Sequence, residues 1–288
     1  MQSKPRDCPW NAFAKMFFQH RFLNGRWLAV MFFFSLTTSY VSLTVLQTAR
    51  SLNSFSNVWD ILVSILNNPQ LIHHGMTNLF IFMISDYTVY GQFDQSMLIR
   101  TGSRKTWFNY QAISIFLTAI LFSALLFFMV FCIASLVSVW GWDWSPIASV
   151  IIGKQQVVSQ NILQFSPGWI TFFMLVFLSL AWTGIGIVVN CITMATQHAV
   201  GGFIAGLVLN YSVFLIWSAN LQIPWLQKIS FHHYMFFLSN IRDQNSLLPV
   251  LLLSLLYWSI WIALSLFIFQ RVCQKKDFLV KELERQAG

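Results

Sequence analysis

Six apolar runs separated by polar loops dominate this sequence, and most are long enough to cross a lipid bilayer as a helix. The runs cover residues 27–48, 71–92, 107–140, 169–193, 199–220 and 249–271. A spanning helix needs about 20 apolar residues. Backbone polar groups find no water inside a bilayer, so these lengths predict six α-helical spans. The second run is the weakest, because its apolar centre is only 79–84 and Asp86 lies near its end.

The composition leaves little material for a soluble domain. Of the 288 residues, 57% are hydrophobic and 9% are charged, whereas soluble domains carry about 25% charged residues. We therefore predict one all-α membrane domain covering residues 1–288. The first run exceeds a signal-peptide core, so we expect it to be retained. The cysteines have neither metal-type spacing nor a disulfide framework. They are Cys8, Cys132, Cys191 and Cys273.

The distribution of cations predicts the orientation. If both termini lie in the cytoplasm, all but four of the 17 Lys and Arg residues fall on the cytoplasmic side. The four exceptions are Arg50, Lys154, Lys228 and Arg242. This asymmetry follows the positive-inside rule and predicts a multi-pass protein of the cell membrane. It also accounts for the net charge of +8 without a nucleic-acid partner.

Three segments outside the runs have helical patterns. Residues 8–26 alternate apolar and basic positions, which favours an interfacial helix over a plain basic anchor. Residues 58–66 form a short apolar stretch, and we predict an interfacial helix ended by Asn67, Asn68 and Pro69. The loop 221–247 contains two apolar patches, 223–229 and 231–238.

Residues 92–107 combine charge with a helix-breaking pattern between two spans. Met97, Leu98 and Trp107 predict an apolar helix face. Gly102 then breaks the helix, and Ser103 is placed to cap a new helix that begins at Arg104. We predict that this element lies at the membrane surface and passes a push from a soluble partner to two spans.

Motifs for catalysis are missing from the sequence. No Walker A motif, nucleophile elbow, H-E-x-x-H or C-x-x-C is present, so we do not expect this chain to bind ATP or to be an enzyme. A membrane-embedded hydrolase using His232 or His233 would need a paired acid or nucleophile, and no such constellation is recognisable.

Two histidine pairs, His73-His74 and His232-His233, are candidate metal ligands, with Asp60 as a possible carboxylate. Asp243 is a second candidate carboxylate. Adjacent helical residues point about 100° apart and chelate poorly. We therefore predict interfacial histidines and no metal site.

Small and charged residues inside the spans give two further predictions. Gly202 and Gly206 form a G-x-x-x-G motif that lets helix backbones approach closely, either within the chain or between subunits. Asp86 is ionisable at the inner end of the second run, and for it we favour solvation or pairing with a cation of the next loop over proton transfer.

Ile84-Ser85-Asp86, followed by L-I-R-T-G-S-R-K-T-W at 98–107, resembles the permease subunits of ABC-2-type transporters. The resemblance implies six spans with an N-terminal elbow helix at 8–26 and short re-entrant outer helices within 221–247. It also implies a separate ABC ATPase, which would hold ATP and Mg, with no cofactor in this chain.

Carried over by position, the resemblance makes 94–101 the coupling helix and 102–107 its exit into the third span. The implied ATPase-coupling residues are Asp94, Met97, Leu98, Arg100, Gly102, Ser103, Arg104 and Trp107. It further implies a dimer with an identical or homologous permease, with Gly202 and Gly206 at the seam. The turn at 195–198 lacks Lys and Arg, so any second docking contact there is small.

The function implied is export of an amphipathic substrate, such as a peptide, a lipid or a hydrophobic drug, or its extraction from the membrane. The alternative is a non-transporting sensor or immunity subunit of the same fold that binds a toxic peptide.

Overall fold

The computed structural model describes residues 17, 21, 25–87, 103–154, 160–218, 224–241 and 246–275. Among these residues, five helices are long and apolar enough to cross a membrane. They are α1 (Gly25–Ser51), α4 (Arg104–Val137), α6 (Pro167–Thr196), α7 (Ala199–Ser218) and α10 (Leu247–Lys275). Each lies on one of the predicted spans, with ends shifted by a few residues.

Shorter helices fill the connections. They are α2 (Val58–Leu66), a π-helix (Leu71–Thr77) that continues into α3 (Asn78–Ile84), α5 (Ala148–Gly153), α8 (Pro224–Ile229) and α9 (Phe231–Met235), with 3-10 turns at Gln160–Gln164 and Phe237–Asn240. The helical segment Leu71–Ile84 covers only the first part of the predicted second span. At about 1.5 Å per residue it is roughly 20 Å long, shorter than a bilayer core.

Local sequence signals set several helix ends. The Ser103 hydroxyl accepts a hydrogen bond from the Thr106 amide at 3.5 Å, which confirms the predicted cap of α4. Pro167 occupies the first turn of α6, where its missing N–H is no loss. Gln197 adopts φ 62° and turns the chain from α6 into α7.

The helix predicted within the first loop exists, but its interfacial position is wrong. Helix α2 ends at Asn67, as predicted, and every residue except Ser64 is buried. It packs against α1, α4 and α6. Contacts on several sides bury even Asp60 of its polar face, so the helix lies inside the bundle and not on a surface.

Two sets of contacts define the ends of the bundle. At one end, here called the basic end, Arg26 of α1 pairs with Asp86, and Arg104 of α4 bonds the backbone near the end of α10. At the other end, called the loop end, the side-chain amide of Asn57 donates to the backbone carbonyl of Asp143 at 2.7 Å. Helices α1, α4 and α7 begin at the basic end, and α6 and α10 run back toward it from the loop end.

Helix α6 is the most buried of the long helices. Its Trp182 packs edge-on against Phe122 of α4, with ring centroids 4.8 Å apart. Phe122 packs against Phe34 of α1 in the same way at 5.1 Å. The Trp182 indole also donates to the Thr77 hydroxyl at 3.1 Å, so its polar atom is satisfied inside the bundle.

Asp60 is a buried carboxylate at the loop end. The residue is 1% exposed. Its Oδ2 accepts a hydrogen bond from the backbone N–H of Asn57 at 2.8 Å, as part of the capping box that starts α2. Burial raises the pKa of Asp60 above its usual value, against hydrogen bonds from Ser145 and Asn57 that lower it. The folded chain therefore holds the Asp60 proton more tightly than an exposed carboxyl does.

We expect Asp60→Asn to remove a pH dependence of stability. A raised folded-state pKa contributes stability that is present below pH 3.8 and lost as pH rises through the folded value. The amide keeps the cap but carries no charge. Thermal unfolding in detergent is measured from pH 4 to 8. The free energy of unfolding of the variant should rise relative to that of the wild type as pH rises, by up to about 1.4 kcal/mol per pH unit. The exposed Asp143→Asn is the control, and a constant offset for Asp60→Asn contradicts the prediction.

Candidate functional site at the basic end

The coupling residues implied by the sequence fall partly outside the described structure. Asp94, Met97, Leu98, Arg100 and Gly102 lie outside the described residues. Ser103, Arg104 and Trp107 lie in or beside the first turn of α4. The structure therefore defines the two points from which the segment 88–102 departs, at Tyr87 and at Ser103.

Arg26 holds the first departure point. Its Nη1 lies 2.9 Å from Asp86 Oδ1, and it also donates to the carbonyls of Phe82 at 3.1 Å and Met83 at 3.4 Å. Carbonyls at a helix C-terminus have no helical partner and carry partial negative charge, so a guanidinium there is favourable. Asp86 thus pairs with a cation of the first helix, whereas the sequence favours solvation or a cation of the following loop.

Arg21 holds the same point from the N-terminal segment. It donates to the Tyr87 carbonyl at 2.7 Å, and its guanidinium carbon lies 4.2 Å from the centre of the Tyr87 ring. Phe17 is 3% exposed. Of the predicted interfacial helix 8–26, the structure otherwise describes only residues 25–26, which begin α1. Arg21 therefore contacts Tyr87 of the protein, whereas the sequence pattern suggests that it contacts anionic lipid.

Arg104 holds the second departure point. Its Nη1 donates to the carbonyl of Gln274 at 2.9 Å, near the C-terminal end of α10. Trp107 is 3% exposed, so it packs into the bundle. One turn along, Phe108 packs against Phe269 of α10 with centroids 5.3 Å apart. Because α4 is held to α10, both helices would receive a displacement of residue 103.

Gly202 and Gly206 pack inside the chain. A Cβ at Gly202 would overlap the Thr193 side chain and lie 2.8 Å from the Val189 carbonyl oxygen of α6. A Cβ at Gly206 would lie 2.7 Å from side-chain atoms of Val189 and Ile81. In this structure neither glycine is open to a second subunit, so the spacing serves a contact within the chain.

One histidine of each pair is buried, contrary to the predicted interfacial position, whereas His74 is exposed and His233 half-buried. His73 is fully buried and His232 is 4% exposed. Their rings meet, with His73 Nε2 3.0 Å from His232 Nδ1. The described residues contain no group of three or more His, Cys, Asp or Glu side chains able to hold a metal ion. Sequence reasoning missed this contact because it joins two short helices 159 positions apart.

A cavity of about 560 Å³ lies between α4 and α6. Its wall is apolar, with hydroxyls from Ser123, Ser179 and Thr171 as polar groups. The larger lining residues are Trp59, Phe116, Phe127, Phe172, Leu175 and Leu180. The size and lining suit an acyl chain or an apolar side chain. No sequence signal marked the cavity, because its lining comes from several helices.

No family model, curated protein or solved structure matches this chain. The fold itself, with five long apolar helices in the described residues, is that of a multi-pass helical membrane protein.

We expect Gly202→Ala to destabilise the fold. Alanine is the better helix former by about 1 kcal/mol, but its methyl group meets the Val189 carbonyl, and overpacking typically costs about 1–3 kcal/mol. Thermal unfolding in detergent measures the change. Gly25→Ala is the matched control, because a Cβ there meets nothing within 4 Å in the described part of the chain. Equal stability of the two variants would show that α7 does not pack on α6 in this way.

Proposed function

We propose that this chain is the membrane-spanning subunit of an ABC-2-type exporter, which moves an amphipathic substrate with ATP hydrolysed by a separate ATPase. The observation that carries the proposal is the pair of fastened departure points. The segment 88–102 leaves from Tyr87 and returns at Ser103. Arg26 of α1 pairs with Asp86 beside the first point, and Arg104 ties the second point to α10.

This arrangement suits mechanical coupling. A partner that pushes on 88–102 acts on α3 and α1 through Asp86 and Arg26. It acts on α4 and α10 through Arg104 and Gln274. Hydrogen bonds to carbonyls at two helix ends would transmit a displacement more directly than a solvated loop.

The orientation proposed is with the basic end in the cytoplasm and six passes in the cell membrane. Leu71–Ile84 then forms the described part of the second pass. Helices α8 and α9 and the following 3-10 turn are short enough to be re-entrant outer helices. The elbow helix would lie on the cytoplasmic surface and join the bundle through Arg21.

The apolar cavity between α4 and α6 supports the proposed substrate class. Its hydroxyls offer few hydrogen bonds, so the apolar part of an amphipathic molecule fits it better than a charged group does. A peptide, a lipid and a hydrophobic drug share that property.

A second permease subunit, identical or homologous, is proposed at the outward faces of α1 and α7. On α7 the exposed face carries Val200, Ile204, Val208 and Leu215. On α1 it carries Leu28, Phe32, Leu36, Tyr40 and Leu43. Gly202 and Gly206 face the opposite way, so the proposed seam no longer uses them.

The orientation is tested by thiol labelling in intact cells. Lys154 is exposed beside the loop end, and a cysteine replacing it should react with an impermeant reagent. A cysteine replacing Lys276 should react only after the membrane is opened. Labelling of both residues from one side would overturn the alternating passes.

The coupling role is tested by charge-preserving changes at the basic end. Arg100→Lys and Arg104→Lys keep the topology signal but lose the planar fork that grips two acceptors. Gly102→Val keeps every charge and strains the backbone if residue 102 has a positive φ. All three should reach the membrane normally and reduce substrate-stimulated ATPase activity of the purified complex about tenfold.

Arg271→Lys is the matched control, since Arg271 is an exposed cation near the same end whose guanidinium lies over its own helix's Phe267. It should retain wild-type activity. Wild-type ATPase assembly and transport in all three coupling variants would refute the coupling role. An intact complex that binds peptide but moves none in vesicles would favour the sensor or immunity function.

A further inference from the structure

Two imidazoles from distant parts of the chain share a hydrogen bond inside the loop-end half of the bundle. His73 comes from the π-helix and His232 from α9. His73 Nε2 and His232 Nδ1 lie 3.0 Å apart, and both side chains are buried. π-Helices are rare and occur often at functional sites. A polar pair inside an apolar bundle calls for a role beyond packing.

Asn210 determines which nitrogens carry protons. Its amide nitrogen donates to the His73 carbonyl at 2.8 Å and to Asn78 Oδ1 at 3.0 Å. Its oxygen therefore faces His73 Nδ1, 2.6 Å away, and accepts from it. A neutral imidazole has one N–H, so His73 Nε2 is an acceptor. His232 Nδ1 must then donate to it.

The relay leaves one ring nitrogen unused. In neutral His232 the proton is on Nδ1, so Nε2 is a bare lone pair. That atom is buried and has no hydrogen-bond partner among the described residues. Its ring lies stacked on Trp217, with centroids 4.7 Å apart, and 4.6 Å from Phe236. An unsatisfied buried acceptor costs about 1–3 kcal/mol.

His232 Nε2 is thus the atom of the pair that can accept a proton without breaking an existing hydrogen bond. The resulting imidazolium would be enclosed by aromatic rings, and the described part of the chain offers its new N–H no acceptor. A buried charge without a partner is strongly unfavourable. Exposure to water would remove that cost, so a proton taken up here favours an open form.

Among the described residues, the titratable groups on the elements packed near His232 are the imidazoles of His74 and His233, the amine of Lys228 and the phenols of Tyr211, Tyr234 and Tyr257, and none of them is a carboxylate. The carboxylates in the described ranges lie elsewhere, with Asp60 at Asn57, Asp86 at Arg26 and Asp143 beside Asn57. Burial, then His73 and His233, lowers the pKa of His232.

We propose that His232, oriented by His73 and Asn210, is a buried proton-binding site, and that proton uptake releases the hairpin 224–241 from α7 and the π-helix. The ligand is a proton, and the device is an acid-opened latch at the loop end. The proposal stands apart from ATPase coupling, because the contacts that carry it all lie away from the basic end.

The sign of the pH dependence follows from the lowered pKa. The closed form is fully favoured above the ordinary histidine value of about 6.5 and loses stability as pH falls below it. One proton taken up on opening raises the opening constant up to about tenfold per pH unit.

The test measures access to the hairpin in the full chain, in lipid nanodiscs. In a background where Cys8, Cys132, Cys191 and Cys273 are serine, Met235→Cys reports opening, because Met235 is 3% exposed. Ile229→Cys is the reference on the same hairpin, because Ile229 is 61% exposed. The ratio of their labelling rates with a methanethiosulfonate corrects for the pH dependence of the reagent. It should rise on the order of tenfold in total between pH 6.5 and 5.

Two variants remove the site while keeping a hydrogen bond. His232→Asn keeps an N–H donor toward His73 and lacks Nε2. The double variant His73→Gln/His232→Asn replaces the imidazole pair by an amide pair. In both, the labelling ratio should lose its pH dependence, whatever its absolute level. His74→Gln and His233→Gln are matched controls that remove the adjacent histidines, and both should keep the wild-type response.

A ratio that stays flat in the wild-type chain from pH 7.5 to 5 overturns the proposal. Persistence of the pH response in the double variant does so as well. Loss of the response in a control variant would assign the proton to another histidine and refute His232 as the site.

Discussion

The structure depends on satisfying polar groups inside a chain whose surroundings are mostly apolar. Helix ends are the main difficulty, because their last carbonyls have no partner in the helix. At the basic end, Arg26 donates hydrogen bonds to the carbonyls of Phe82 and Met83, and Arg104 donates to the carbonyl of Gln274. The same bonds fix where 88–102 leaves and re-enters the bundle. Satisfying these helix ends therefore also builds the candidate coupling surface.

Packing among the long helices relies on close fit. Lipid tails are as apolar as the helix surfaces, so the hydrophobic effect does not drive helices together inside a membrane. Helix α7 approaches α6 at Gly202, where a Cβ would meet the Val189 carbonyl. About two turns earlier on α6, Trp182 packs edge-on against Phe122 of α4 and donates a hydrogen bond to the Thr77 hydroxyl. Helix α6 thus packs closely against both α7 and α4. The cavity lined by Thr171 and Ser179 lies between α4 and α6, beside this close contact.

Segment 71–87 contributes residues to both the histidine site and the candidate coupling surface. Its first turns carry His73, which bonds His232 and Asn210. Its far end carries Asp86, which pairs with Arg26. A short helical segment held by polar bonds at each end, with Phe80 and Ile81 buried between them, is a direct physical connection between the loop end and the basic end.

The sequence by itself determined the local features. Hydropathy located five spans to within a few residues, and capping chemistry located Ser103 and the end of α2 at Asn67. These depend only on neighbouring residues. The tertiary structure decided the rest: the burial of α2, the pairing of Asp86 with Arg26, and the meeting of His73 with His232. Each joins residues distant in the chain. An apolar face turned toward lipid reads the same in sequence as one turned toward protein, so only the packed helices show which is which.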